Sequence, residues 1–183
     1  MSTGPLPAGP LTTWLGMIDA ALAGEGDSDV PCGPCTACCT SSQFVHVGPE
    51  ESDALAHIPA ELLFPAPGLP GHLLLGYDER GHCPLLVDGV CSIYSHRPRT
   101  CRVYDCRVFA ATGVDPGPDD KPAVTEQAVR WVFEISTDDD RRSAAALRAT
   151  VAALEGGEGP PGALGRAVTA VRRRGEHAAP DST

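Results

Sequence analysis

Apolar residues fall at Leu11, Trp14, Leu15, Ile18 and Leu22, the i, i+3, i+4, i+7, i+11 stripe of an amphipathic helix. Gly24 and Gly26 end it, and Asp27–Pro31 lead out of it. Gln43–Val47 reads as a short strand. Pro49-Glu50-Glu51-Ser52 then opens a helix to about Ile58, with acids in the first turn, where the helix dipole favours them. The proline-rich apolar stretch 59–71 predicts an ordered loop packed on the core, followed by a strand at Leu73–Tyr77 and a turn at Asp78–Gly81. Asp88-Gly89, between Leu85–Val87 and Val90–Tyr94, predicts a hairpin. Proline cannot sit inside a helix, so Pro98 allows a short helix only at Arg99–Phe109. Residues 112–122 read as a loop, and alternation at Val129, Trp131, Phe133 and Ile135 favours a strand over a helix. Thr137 before Asp138–Asp140 is a helix start whose buried stripe is Leu147, Val151 and Leu154. Gly156–Gly162 breaks the pattern, and a last helix with Leu164, Ala167, Val168 and Val171 on one face closes at Gly175.

Four thiols interrupt this pattern at Cys32, Cys35, Cys38 and Cys39, within C-G-P-C-T-A-C-C. Adjacent side chains cannot both face one interior, so packing does not explain such density. Metal chemistry does, because a C-x-x-C turn lets two thiolates converge on one ion while nearby amides point at the sulfurs. Cys83, Cys91, Cys101 and Cys106 form a second group, making eight candidate ligands in two segments.

Composition sharpens this. The chain has 183 residues, 42% of them hydrophobic, which suits one domain with loose ends. Its 20 Gly and 18 Pro imply many turns, a condition in which small folds need covalent or metal staples. A net charge of −10 argues against a general nucleic-acid-binding surface, which needs a basic face. The basic run Arg172–Arg174 reads as a helix end complementing the dipole. No charged leader opens the chain and no apolar run approaches membrane-spanning length. The expected location is the cytoplasm, where thiols stay reduced and cysteines serve as metal ligands or redox groups more often than as disulfides. No pattern names a protein partner or substrate.

The fold class expected is α+β, a small irregular metal-organised domain with short strands and C-terminal helices. Its expected parts are a flexible lead at 1–10 and a cysteine-cluster metal-binding domain at 11–110. A strand and helices at 111–175 pack on that domain, and 176–183 form a disordered tail.

Cys32, Cys35 and Cys38 match the first three positions of a bacterial ferredoxin run, C-x2-C-x2-C-x3-C-P, but Ser42 stands at the fourth. Neither the C-x3-C-x2-C of radical enzymes nor a pair of zinc-ribbon C-x2-C knuckles is present. The pattern therefore points to metal more firmly than to any one metal.

C-G-P-C-T-A-C-C, followed by C-P-L-L and C-S-I-Y-S-H-R-P-R-T-C-R, resembles the bacterial cysteine-cluster proteins described as zinc- or iron-chelating, over roughly residues 32–107. The resemblance implies Cys32, Cys35, Cys38, Cys39, Cys91 and Cys101 as ligands, with Cys83 beside them and Cys106 outside the secure part of the pattern. Flagellin lysine N-methylases share this cysteine domain. The resemblance therefore also implies a possible enzyme, though residues after 110 match nothing in them.

Arg97 and Arg102 flank Cys101 and would offset the negative charge of a thiolate-bound centre, with Arg99 less clearly so. Tyr94 and Tyr104 read as packing around it. His82 and His96 lie near the second segment and can replace a thiolate, although exposed loop histidines are the plainer reading; His46, His57, His72 and His177 have no partner spacing. The reading that emerges is a metal-binding protein, leaning to an iron–sulfur cluster over zinc because eight thiols exceed one zinc site. Two alternatives stand beside it: a metal- or cluster-dependent enzyme such as a protein N-methylase, and a dithiol redox module. C-G-P-C is the thioredoxin-type tetrapeptide, but that motif belongs at a strand-to-helix junction of an α/β fold.

Overall fold

A computed structural model of the chain describes residues 4–28, 30–117, 121–157 and 159–177. In chain order the elements are β1 (Leu6–Pro10), α1 (Leu11–Ala23), β2 (Val45–Val47), α2 (Ser52–His57), β3 (Leu63–Pro65), β4 (Leu73–Leu75), β5 (Leu86–Val87) and β6 (Val90–Cys91). Then follow α3 (Arg99–Val103), α4 (Arg107–Thr112), α5 (Pro122–Ala128), β7 (Trp131–Glu134), α6 (Asp138–Glu155) and α7 (Ala163–Arg173). Turns of 3-10 type occupy Ala37–Thr40, Ala60–Leu62, Tyr94–His96 and Arg174–His177. The architecture is α+β, with short strands in small sheets and helices towards the C-terminus. Among the described residues no helix is long and apolar enough to cross a membrane.

The chain divides into two compact units, one formed by Met1–Gly26 with Asp105–Thr183, the other by Asp27–Tyr104. In the first, α1 buries Leu11, Trp14, Leu15, Ile18 and Ala21, and Gly24 closes it in the left-handed conformation at φ 93°. Leu22, expected on that stripe, is half-buried, and Ala21 takes the inward position. The helix packs with α6 and α7, so it groups with the C-terminal elements and not with the cysteine segment.

The 1–10 segment, read as a lead, contains a strand. β1 pairs parallel with β7, Leu6 opposite Trp131 and Pro10 opposite Glu134. Its two prolines lack N–H donors, which a strand paired on one side tolerates. That pairing depends on an edge over a hundred residues away in the chain, so local composition gave no sign of it.

Thr137 caps α6 in a capping box. The Asp140 amide donates to Thr137 Oγ1 (3.0 Å), and Asp140 Oδ2 accepts from the Thr137 amide (3.0 Å). Asp140 Oδ1 also accepts from the Thr12 amide (3.0 Å) and hydroxyl (2.9 Å), tying the start of α1 to the start of α6. On α7, Ala167, Ala170 and Val171 are buried while Leu164 is exposed. The tail beyond His177 lies outside the described residues.

In the second unit, β2, β4 and β3 form an antiparallel sheet in that order, with Leu75 opposite both Val45 and Leu63. Val45, Val47, Ala54, Ile58, Leu75, Leu85 and Ile93 make its buried core. β3 lies in the stretch expected to be loop, where three residues suffice to extend the sheet. α5 falls where the expected loop 112–122 ends, with Pro122 in its first turn. The helix expected at Arg99–Phe109 is two helices, α3 and α4. Tyr104 turns extended between them (φ −69°, ψ 120°), and Asp105 Oδ1 accepts the Arg107 amide (2.9 Å). The two units meet in sequence at that break.

Candidate metal centre

Seven of the eight cysteines lie in the Asp27–Tyr104 unit. Two turns shape the first segment. The Cys35 amide donates to the Cys32 carbonyl (3.0 Å) across Gly33, whose φ of 54° suits glycine, and Cys38 and Cys39 sit on the 3-10 turn Ala37–Thr40. The Ser41 hydroxyl closes that turn on the Ala37 carbonyl (2.5 Å).

Backbone bonds hold this segment to the second. The Cys83 amide donates to the Cys39 carbonyl (2.7 Å) and the Ser42 amide to the Gly81 carbonyl (2.8 Å). At the other end the Ser28 amide donates to the Arg102 carbonyl (3.0 Å), and the Arg102 guanidinium grips Asp27 at 2.8 and 3.0 Å. The sequence-separated groups are thus clamped on both sides. Cys91 ends the β5–β6 hairpin opposite Leu86, and Cys101 lies in α3, one turn past buried Pro98. Cys83, Cys91 and Cys101 pack half-buried against the small core.

The sulfurs feel one another. Burial pushes the Cys101 thiol up to about 12; the neighbouring Cys39, Cys83 and Cys91 push the same way, while Arg97 pulls it down. Burial likewise raises Cys39 to about 11, helped by Cys83, Cys91, Cys32 and Cys35. Cys83 is raised by burial and by Cys91, opposed by the Leu85 and Leu86 amides. Each pair within Cys39, Cys83, Cys91 and Cys101 is thus near enough for charge on one sulfur to act on the other, and Cys32 and Cys35 act on Cys39. Gathering buried thiols is unfavourable for thiolates alone and favourable around a cation, which displaces their protons.

Cys106 belongs to the other unit. It is buried, and its Sγ accepts from Trp131 Nε1 at 3.2 Å. Among the described residues none of the eight cysteines forms a disulfide. Arg97 lies over the Tyr94 ring at 3.6 Å and donates through Nε to the Tyr94 carbonyl (2.8 Å), leaving Tyr94 exposed. Arg102 Nε donates to the Arg97 carbonyl (3.0 Å), so Arg102 serves as a clamp between Asp27 and the backbone beside Cys101. Arg97, Arg99 and Arg102 line a cleft of about 470 Å³ with Asp27, Glu51 and Asp53; its walls contain no cysteine.

The histidines are less isolated than their spacing implied. His46 and His72 meet across the sheet at 2.9 Å between ring nitrogens, and His57 stacks on His96. Only folding shows these pairs, because their members lie 26 and 39 residues apart. The side chain of His177 lies outside the described residues.

Residues 31–120 match the model of the CxxCxxCC family, whose description reads "Putative zinc- or iron-chelating domain". No curated protein and no solved structure matches the chain.

Proposed function

The chain belongs to the CxxCxxCC family through its domain at residues 31–120, and from that membership we propose that it holds an iron–sulfur cluster. The ligands are the quartet Cys39, Cys83, Cys91 and Cys101, with Cys32, Cys35 and Cys38 beside it and Cys106 excluded. One observation carries this reading: Cys83, Cys91 and Cys101 pack against one small core, and the backbone bond from the Cys83 amide to the Cys39 carbonyl joins the first cysteine segment to them. Cysteine thiolates are soft donors suited to iron–sulfur clusters and zinc. A structural zinc ion needs four ligands, whereas this unit contains seven cysteines, and Arg97 supplies positive charge that acts on Cys101, as a net-negative cluster requires. When bound, the group would supply a structural cross-link and one-electron redox chemistry. The chain's own residues hold it, exclude solvent on the core side and offset its charge.

The dithiol alternative finds less support. Cys32–Cys35 follows no strand among the described residues and opens onto a 3-10 turn, so the strand-to-helix junction of a thioredoxin site is absent there. The methylase alternative needs a cofactor pocket beside the sulfurs, and the cleft's charged walls contain no cysteine.

Elemental analysis and absorption spectroscopy of anaerobically purified protein test the proposal. The expected protein is brown, with broad absorption that bleaches on reduction. Cys39→Ser, Cys91→Ser and Cys101→Ser each lose most of the iron, because serine is a poor ligand for soft ions, and Cys106→Ala keeps it. Colourless protein with stoichiometric zinc, prepared without oxygen from iron-supplemented cells, replaces the cluster with zinc. Iron retained in all three serine variants overturns the ligand set.

A further inference from the structure

A second donor cluster in the Asp27–Tyr104 unit contains no cysteine. Asp53 and His57 lie one turn apart on α2, and the 3-10 turn Tyr94–His96 brings His96 to them. One donor atom from each of the three lies within 4.8 Å of the others. His96 Nδ1 is 2.9 Å from Asp53 Oδ2 and 3.1 Å from Oδ1, and His57 Nδ1 is 3.7 Å from Asp53 Oδ1. The two imidazoles stack with centroids 3.5 Å apart and planes 6° from parallel.

The Asp53–His separations approach the edges of a coordination shell, and because a ring nitrogen's lone pair lies in its ring plane, the parallel rings turn about their Cβ–Cγ bonds to converge on one ion. Bonds of about 2.0–2.2 Å to imidazole and carboxylate set ligand-to-ligand edges of roughly 3.0–3.5 Å. The competing arrangement is a hydrogen-bonded one, in which His96 donates to the Asp53 carboxylate and His57 to the Asp53 carbonyl oxygen (2.8 Å). It satisfies the Nδ1 atoms, but two imidazoles stacked this closely repel one another when both are protonated. A divalent cation ligated by both rings avoids that repulsion, since metal is bound by the neutral imidazole.

Contacts other than those among the donors also hold these elements together. The Glu51 carboxylate, just before α2, accepts the Gly48 amide (2.7 Å) and the Arg99 amide, and the Thr100 hydroxyl donates to the His46 carbonyl (2.8 Å). α2 is thereby joined to the segment following the Tyr94–His96 turn, and the triad is held ready. Side-chain exposures of 69% for Asp53, 41% for His57 and 39% for His96 leave it open to an ion from solvent and leave coordination positions for water.

We propose that Asp53, His57 and His96 form a second metal site, independent of the cysteine centre, which takes a first-row divalent cation through two imidazoles and one carboxylate. Such a donor set with open positions suits Fe²⁺ and Zn²⁺ and accepts Mn²⁺, whereas the thiols prefer softer ions.

Mn²⁺ is the probe, because thiolates hold it poorly. The full chain, purified anaerobically with its cysteine centre as isolated, is titrated with Mn²⁺ while electron paramagnetic resonance follows the free ion. One Mn²⁺ binds per chain, and an equivalent of Zn²⁺ returns it to solution. Asp53→Asn, His57→Ala and His96→Ala each weaken binding by no less than the ~10-fold that loss of even an outer partner costs; His46→Ala binds as wild type. Asp53 and His57 are exposed and His96 is half-buried, so these variants keep the fold, which circular dichroism verifies. Wild-type protein that takes up no more Mn²⁺ than His96→Ala, or three variants that each bind Mn²⁺ as wild type does, overturns the site.

Discussion

Asp140 is a fully buried carboxylate whose oxygens are all engaged, by the Thr12 amide and hydroxyl on one side and by Ser136 and Thr137 on the other. Those hydrogen bonds, led by the Thr137 amide, hold its carboxyl well below the usual carboxylate range. The folded state thus keeps this charge at a pH where the unfolded chain has taken up a proton. The contribution is complete above the unfolded value of about 4 and drains away as pH falls below it. Thermal unfolding of wild type should fall off below that pH. Asp140→Asn should melt lower at pH 7 and decline less steeply in acid; parallel curves for the two proteins would show that Asp140 carries no such linkage. The helix start at Thr137 was legible in the sequence, but the reach of Asp140 to Thr12 was not, since 128 residues separate the two. Cys106 illustrates the same limit. It stands five residues after Cys101 and looks alike in sequence, yet the Tyr104–Asp105 break sends it to another unit, where it meets the Trp131 indole.

The β5–β6 hairpin was read from Asp88-Gly89 alone, and its turn has both residues at positive φ, 49° and 79°. That is the backbone of a tight hairpin turn, whose twist matches the strands it joins. Open space surrounds the position a Gly89 Cβ would take, so the cost of a side chain there is conformational and not steric. Gly89→Val should destabilise the protein by about 1–2 kcal/mol, the cost of holding a non-glycine residue in the left-handed region. It should also weaken metal retention, because β6 ends in Cys91. Denaturant midpoints with metal analysis of the same samples check both, and an unshifted midpoint would mean the turn relaxes freely. Elements whose signal was short or borrowed escaped the sequence. β1 reads as a Gly/Pro lead, β3 is three residues inside a proline-rich stretch, and α3 and α4 read as one helix because the break at Tyr104 carries no glycine or proline.

The two compact units carry unequal reserves. The unit containing α1, α6 and α7 buries Leu11, Trp14, Leu15, Ile18, Val108, Leu147 and Val171 almost completely. The Asp27–Tyr104 unit has a smaller core of seven buried residues, against which three cysteines pack. A small core closed over long loops depends on a cross-link, and a bound metal contributes its binding energy to folding. Chelation should therefore raise amide exchange across residues 27–104 while α6 stays protected, and should lower the first melting transition. Uniform exchange in both units, or none in either, would refute this division.

What the sequence determined by itself is the local chemistry. Cysteines at C-x-x-C-x-x-C-C spacing, the D-G hairpin turn, the Thr137 cap and the α1 stripe each depend on neighbours a few residues apart, where covalent geometry leaves few conformations. That spacing sets four thiols in one short segment, and a second segment adds Cys83, Cys91, Cys101 and Cys106. Tertiary structure alone decided which sulfurs share one another's charge, that Arg102 clamps Asp27 while Arg97 faces the field of Cys101, and that Cys106 lies outside that unit. It alone also brought His96 to Asp53 and His57. The physical reason is common to all four. Contacts between distant residues are set by how whole elements bury their apolar faces, and that packing leaves no periodic trace at the residues it brings together.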